Sequence, residues 1–445
     1  MRRSRASHRA PCPSNRCFGL EWGGRKNERA AAMSNVQEYA DVQVPHARFG
    51  VALSWDHRQG AGVDVDLQAV AFDGAGKIVD AVYYNNLKAC GKGMTHSGDE
   101  TTGEKAGFDE VVWATLQRLP DVKLIVYVIA CHSGGKLQDV RNGKFHLLGD
   151  RPDNILMEFR LEESTQEVDV VGGLIHGPSG WCFRVVDEPA RGGRHFMDIL
   201  EPTVGNFVRS VLPGAPRRIK ACFAMEKGSV VDLPMTAESQ KVQACLGWDT
   251  SAGNVDLDVS AVMLDERAGH VDTVFFGQLE GPGVVHSGDN LTGAGDGDDE
   301  VIHVDFTAVS PRVAQVVFVI NIYSSGKSFS QVANPYCRVV TSSGEEICKY
   351  ALREAGNQQG LIIARFVREP SGRWGVQALG LPCRGNTWKD SMREIQTLAA
   401  QSMQDLQRMS TASFQGARGS TASAASDGAH RLAPPPGPEK DCCLQ

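Results

Sequence analysis

The amino-acid sequence predicts an all-β protein: two tandem β-sandwich domains with minor helices, then a C-terminal amphipathic helix and a disordered tail. Three observations carry this expectation. Short apolar runs recur at regular intervals, separated by glycine, proline and asparagine turn signals. Such spacing with few helical periods is the pattern of a sandwich. Glycine is abundant, 48 of 445 residues, as tight turns require. The third observation is a segment written twice. Residues 284–300 read Val-Val-His-Ser-Gly-Asp-Asn-Leu-Thr-Gly-Ala-Gly-Asp-Gly-Asp-Asp-Glu, and residues 95–110 hold a degraded copy, Thr-His-Ser-Gly-Asp-Glu-Thr-Thr-Gly-Glu-Lys-Ala-Gly-Phe-Asp-Glu. Each copy follows a Trp-Asp pair and an Asp-x-Asp triplet: Trp55-Asp56 with Asp64 and Asp66, then Trp248-Asp249 with Asp256 and Asp258. A repeat this long marks two homologous domains, not a solenoid, whose units are much shorter.

Residues 1–32 form a basic leader that reads as a disordered arm, an organelle transit peptide or, preferred, sequence upstream of a natural start at Ala32-Met33-Ser34. The first domain spans 33–215, with strands expected at 49–53, 67–72, 78–84 and 124–129. Pro213-Gly-Ala-Pro216 is the hinge. The second domain, 216–388, repeats the order at 244–247, 257–264, 271–276 and 316–322. Both end on a Pro-Ser-Gly hairpin turn before a tryptophan, Trp181 and Trp374, read as core. Over 389–410, Met392, Ile395, Leu398, Ala399, Met403, Leu406 and Met409 recur every three or four positions and predict a helix docked on the second domain. Residues 411–441 are a Ser/Ala/Gly/Pro tether, stiffened at Pro434-Pro-Pro-Gly-Pro438.

A net charge of −7 argues against a general nucleic-acid partner. No apolar run reaches the length needed to span a bilayer. The 12 cysteines lack paired spacing and read as reduced cytosolic thiols, with no zinc motif. Enzyme motifs are also missing from the sequence. It has no His-Glu-x-x-His and no Gly-x-Ser-x-Gly, and Gly326-Lys327-Ser328 lacks the phosphate-loop glycine, Asn321 standing in its place. The expectation is a non-enzyme.

The repeated segment is rich in oxygen donors and glycine. On an extended strand Asp256 and Asp258 share one face. Asp289, Asn290, Asp296, Asp298, Asp299 and Glu300 come from one loop, whose glycines permit backbone angles that turn several oxygens inward. Packed carboxylates repel unless a cation neutralises them, and calcium takes ~6–8 oxygen ligands. A solitary loop of this composition reads as a solvated acidic turn. Its recurrence with Asp-x-Asp at a fixed place upstream favours the cation. In the first domain Asp64, Asp66, Asp99, Glu100, Asp109 and Glu110 are the corresponding candidates, while Ala106 and Phe108 replace two carboxylates. His96 and His286 stand beside the loops at equivalent places and read as structural.

At these residues the chain resembles the TerD family of bacterial tellurium-resistance and general stress-response proteins, and related cyclic-AMP-binding-type proteins. The match runs through Leu246-Gly-Trp-Asp249, Asp256-Leu-Asp258, Gly288-Asp-Asn-Leu-Thr-Gly293 and Gly295-Asp-Gly-Asp-Asp-Glu300, to Phe329-Ser-Gln-Val332 and Arg338. A weaker match runs through Trp55-Asp56, Tyr83-Tyr-Asn-Asn-Leu87 and His96-Ser-Gly-Asp99. The resemblance implies a β-sandwich that binds Ca2+ through this loop, not an enzyme. The first site then reads as weakened and the second as fuller. If the family's ligands include the pair at Asn85-Asn86, the order reverses, because the second domain has Gly277-Gln278 there.

The chain closes on Cys442-Cys443-Leu444-Gln445, a prenylation box with Cys442 as acceptor and a terminal residue favouring farnesyl. One lipid gives marginal, reversible anchoring. The expected function is a calcium-binding stress-response or signalling protein, cytoplasmic and lipid-tethered to a membrane face, with room for a protein partner. The alternative is a cyclic-nucleotide or anion-binding protein in which calcium is structural.

Overall fold

A computed structural model of the chain describes residues 41–56, 63–132, 134–161, 164–237, 239–250, 256–288, 297–324, 326–351 and 356–401. Every strand expected from the sequence is present. In the first domain one six-stranded sheet runs Val42–Val44, Gly180–Ala190, Val168–Gly177, Leu124–Cys131, Val65–Phe72, Ile78–Val82. The other runs Ile155–Arg160, Arg141–Leu148, Arg48–Asp56, Glu110–Thr115, Met94–His96, Lys88–Ala89. The second domain repeats both orders. Its corresponding sheets are Val230–Asp232, Trp374–Cys383, Gly360–Arg368, Gln315–Ile322, Leu257–Leu264, His270–Val274 and Glu346–Ala351, Val332–Thr341, Lys241–Thr250, Glu300–Asp305, Val284–His286, Glu280–Gly281. One added edge strand, Phe223–Met225, pairs in parallel with Glu346–Ala351; the other pairings are antiparallel.

Burial explains the composition of each strand. Val65–Phe72 and Leu257–Leu264 lie inside their sheets and are buried on both faces, so their apolar runs are nearly continuous. Glu110–Thr115 alternates buried and half-buried residues, and Glu300–Asp305 alternates buried residues with half-buried or exposed ones, as expected where one face looks outward. Between the first domain's sheets, Phe183 sits 5.7–5.9 Å from the rings of Phe49, Tyr127 and Phe145. Its truncation to alanine should cost about 3–5 kcal/mol. The described cysteines are free thiols.

The two sandwiches share a core. Val70, Phe72, Leu124 and Val126, on the outer face of the first domain's sheet, join one buried cluster with Phe223, Val231 and Phe366 of the second. Short helical turns, Phe196–Ile199 and Leu200–Val204, and helix α1, Gly205–Val211, fill the space between through Phe196, Ile199, Val204 and Phe207. Helix α2, Met392–Ala399, covers the corresponding outer face of the second domain. Its Ile395 and Leu398 pack with Val262, Val317 and Ile362. Of the helix expected at 389–410, residues 389–391 and 400 are turns and 401 a bend on either side of α2, and residues from 402 on lie outside the described residues, as do the leader, the tether and the prenylation box.

Candidate metal centre

Each Trp-Asp pair closes a strand that bulges, between Ser54 and Asp56 in one domain and Gly247 and Asp249 in the other. The bulge aims a backbone amide at the acidic loop. Trp55 N donates to Asp109 Oδ2 and Trp248 N to Asp299 Oδ2, each at 2.8 Å. The next acid does the same for the neighbouring strand. Leu67 N donates to Glu110 Oε2 at 2.7 Å, and Val259 N to Glu300 Oε2 at 2.8 Å. His96 and His286 brace the loop entrance. Gly98 N and Gly288 N donate to their Nδ1 atoms at 3.1 Å, leaving Nε2 to carry the proton. Those protonated atoms lie 3.4 Å and 3.7 Å from Glu110 and Glu300. So Asp109, Glu110, Asp299 and Glu300 each use an oxygen to fasten the loop to two strands. Gly103, at φ +62°, lies against the Trp55 indole, where a Cβ would meet Nε1 at 2.5 Å.

Within this frame Asp64, Asp66 and Asp99 each bring an oxygen within 4.8 Å of the other two. Asp66 is 1% exposed and its Oδ2 is buried with no hydrogen-bond partner. Burial, then the charges of Glu110, Asp64, Asp99 and Glu369, push its carboxyl well above the ordinary range. Asp99 is exposed, so the group opens to solvent on one side. Glu100 turns away. Its Oε1 accepts from Thr102 N at 3.0 Å and Thr102 Oγ1 at 2.5 Å. Phe108, where the second domain has Asp298, rests against the His146 ring at 4.9 Å.

In the second domain Asp256 and Asp258 flank Leu257 as their counterparts do, and Asp258 is buried. Asp289, Asn290 and Asp296 lie outside the described residues. Asp298 is committed elsewhere. Arg338 donates to both its oxygens, at 2.9 and 2.8 Å, and Tyr336 OH donates at 3.0 Å. Burial works to raise its pKa, but the bonds from Arg338 and Tyr336 prevail and hold it low.

Beside the Asp64–Asp66–Asp99 group lies a polar network that local spacing does not announce. Tyr84 OH donates to Asp232 of the second domain, and Asn85 Nδ2 donates to Asp232 Oδ1 at 3.1 Å and to Glu369. His132 Nε2 stands 3.3 Å from Glu369 Oε2, and His195 Nε2 3.6 Å from Asp232. Arg373 pairs with Asp198 at 2.6 Å and donates to the Leu233 carbonyl. Burial, then Glu369, lift the Asp232 carboxyl to about 7, against the pull of Arg373, Tyr84 and Asn85. The only hint in the sequence was Tyr83-Tyr-Asn-Asn-Leu87, whose partners lie more than a hundred residues on.

A cleft of about 870 Å³ opens on the other side of the first loop, among Trp55, Lys105, Asn142 and Arg160. Its lysines are engaged. Lys105 donates to the Asp109 carbonyl at 3.0 Å, and Lys144 pairs with Glu158 at 2.7 Å. Among the described residues no helix is long and apolar enough to cross a membrane.

The TerD domain family model matches residues 41–199 and 222–389. Tellurium resistance protein TerZ of Serratia marcescens is 41% identical over 164 residues, covering 34% of this chain and 84% of that protein. General stress protein 16U of Bacillus subtilis (strain 168) is 39% identical over 177 residues, covering 37% of this chain and 92% of that protein. A crystal structure of a homologue of telluride resistance protein (TerD) from Streptomyces coelicolor A3(2) is 21% identical, covers 35% of this chain and 96% of its own, and has a TM-score of 0.32.

Proposed function

The chain belongs to the TerD-domain family of tellurium-resistance and stress-response proteins, and on that premise we propose that it binds calcium as a stress-response or signalling module held reversibly at a cytoplasmic membrane face by a farnesyl group on Cys442. The observation that carries the calcium reading is Asp66. A carboxylate with a buried, unpartnered oxygen and two further carboxylates within 4.8 Å needs either a proton or a cation. All three donors are hard oxygens, as calcium prefers, and the open side at Asp99 leaves room for waters to complete ~6–8 ligands. Glu100, Glu110 and one oxygen of Asp109 hold the loop's shape, which pre-arranges the three donors.

The test uses the full chain, stripped of metal. A cation that binds only the folded state adds ~2.7 kcal/mol at a hundredfold excess over its dissociation constant, so calcium should raise the unfolding temperature and chelator should reverse it. An unfolding temperature unmoved by either sinks the reading. For the second domain the sequence favours the tighter site through Asp296, which Ala106 replaces in the first, since Arg338 takes up Asp298. Asp258→Asn should then remove the higher-affinity phase of a calorimetric calcium titration, and Asp66→Asn the weaker one.

A further inference from the structure

The junction between the two sandwiches uses a surface that the second sandwich also possesses and leaves open. In the first domain, Tyr84 and His132 form an aromatic pair, with centroids 4.5 Å apart, at the end of the sheet. Tyr84 is 5% exposed because the second domain's Asp232 and Glu369 cap it. Strand register and turn pairing place Phe276 and Tyr323 at the same positions in the second domain. The bridge Tyr83↔Asn86 corresponds to Phe275↔Gln278, and His132 and Tyr323 each follow the last residue of the matching central strand. Phe276 and Tyr323 also meet edge to face, at 5.9 Å. Even the packing beneath is repeated. Tyr83 is covered by His195 and Phe196 from the segment after its domain's last strand, Gly180–Ala190, and Phe275 by Trp388 from the segment after Trp374–Cys383. What differs is the cap. Phe276, Leu279 and Tyr323 are 39%, 43% and 54% exposed.

The opposite end of the first domain is the counterpart of the cap. There Gln43 occupies the place of Asp232 in the short edge strand, and the turn at 177–180 occupies the place of the Glu369–Arg373 turn. This turn carries glycine at both ends where the other carries Glu369 and Arg373. Beside it His176 stacks on Trp181 at 4.4 Å, as Arg368 stacks on Trp374. Gln43 and Gly180 are exposed. The ionic half of the junction is therefore missing from both open ends together. The head of the second domain has lost the polar groups of Tyr84 and Asn85, replaced by Phe276 and Gly277. The tail of the first has lost the carboxylates those groups would bind. An acidic cap would be left unpaired on the apolar head, whereas a turn without carboxylates beside an aromatic stack, with Lys123 Nζ as a cation 3.3 Å from His176 Nδ1, fits it.

We propose that the exposed Phe276–Tyr323 head of one chain receives the Gln43/177–180 tail of a second copy, so that the protein associates head to tail by repeating its own internal junction. Such a contact joins unlike surfaces, so it extends to longer arrays or closes into rings rather than stopping at a two-fold dimer.

Sedimentation of the full chain over a range of concentrations tests this. The expected result is a mass that climbs with concentration past the dimer. Tyr323→Glu and Phe276→Glu should each return it to the monomer, and so should His176→Glu at the other end. Tyr323 is exposed enough that its variant should keep the wild-type unfolding temperature even if Phe276→Glu does not. Mixing a head variant with a tail variant should give dimers only, since one intact head and one intact tail remain. A wild-type chain that stays monomeric overturns the proposal. Assembly that survives Tyr323→Glu, or that is lost with the head variants but untouched by His176→Glu, overturns it too; the last outcome would mean a head-to-head dimer. Binding of Phe276 and Tyr323 to neutral phosphatidylcholine vesicles in place of self-association would identify a lipid surface as the occupant and equally refute it.

Discussion

Replacing Asp66 by asparagine is expected to act in opposite directions with and without calcium. In metal-free protein burial and the charges of Glu110, Asp64 and Asp99 force the Asp66 carboxyl to take up a proton, a cost that the neutral amide does not carry, so the unfolding temperature should rise. In saturating calcium it removes a charged ligand, so the calcium-induced increment should shrink. Differential scanning with and without chelator measures both, and a variant that destabilises equally in the two conditions would argue for a plain packing role. A second residue acts through shape alone. Gly103→Ala places a methyl group 2.5 Å from the Trp55 indole at a positive φ, and should cost about 1–3 kcal/mol while weakening calcium binding through the displaced loop. At this scale the sequence was legible as to which carboxylates gather. Asp64, Asp66 and Asp99 meet as their spacing implied. It did not divide donors from fasteners. Nothing local tells Asp298 from its neighbours, because what claims it is Arg338, forty residues along on another strand. Likewise the use of Asp109 depends on a bulge at Trp55, which pairing across the sheet creates.

Helix α2 shows how an element can be legible in sequence while its anchor is not. The spacing of Ile395, Leu398 and Ala399 announces a helix with one apolar face, and that face lies on the second domain's outer sheet. Ile395 is fully buried, so Ile395→Ala should cost about 2–5 kcal/mol, read from a denaturant unfolding curve. The anchor is Arg365, 1% exposed, which donates to the carbonyls of Leu398 and Gln401 and to Gln315 and Gln377. A cation at the carbonyl end of a helix meets the negative end of its dipole. Burial lowers its pKa to about 10, so it stays charged at neutral pH. In the sequence Arg365 is one charge inside an apolar strand, with no sign of the helix thirty residues later that needs it. The strands were easier. Val65–Phe72 and Leu257–Leu264 are buried on both faces and so read as unbroken apolar runs. The aromatic pairs at 83–84 and 275–276, expected as strand ends, instead lie in turns beyond Val82 and Val274, which lets Tyr84 reach the neighbouring domain.

Across the whole molecule, the junction should make stability depend on pH. Asp232 holds its proton up to about 7 when folded, against 3.8 ordinarily, so between those values the folded chain binds a proton that the unfolded chain has released. Stability therefore falls as pH rises through that window and levels off above it. His132, raised by Glu369 against the cost of burial, works in the same direction, losing its contribution as pH climbs past its folded value. His195 opposes them at acid pH, because burial, with Arg373 and His132 nearby, keeps it neutral. Asp232→Asn should flatten the unfolding temperature between about pH 5 and about pH 7; an unchanged slope would place the dependence elsewhere. The membrane reading has its own measurement. Cys442→Ser should move the protein wholly into the soluble fraction, and an intact mass showing an unmodified Gln445 end in cells would end the lipid proposal. The shared core of Val70, Phe72, Val231 and Phe366 has a different consequence. Neither half can open without stripping apolar cover from the other, so heat should melt the tandem in one transition, with equal calorimetric and van't Hoff enthalpies. A cation taken up by either half then protects both, and the hinge at 213–216 joins two parts of a single cooperative body.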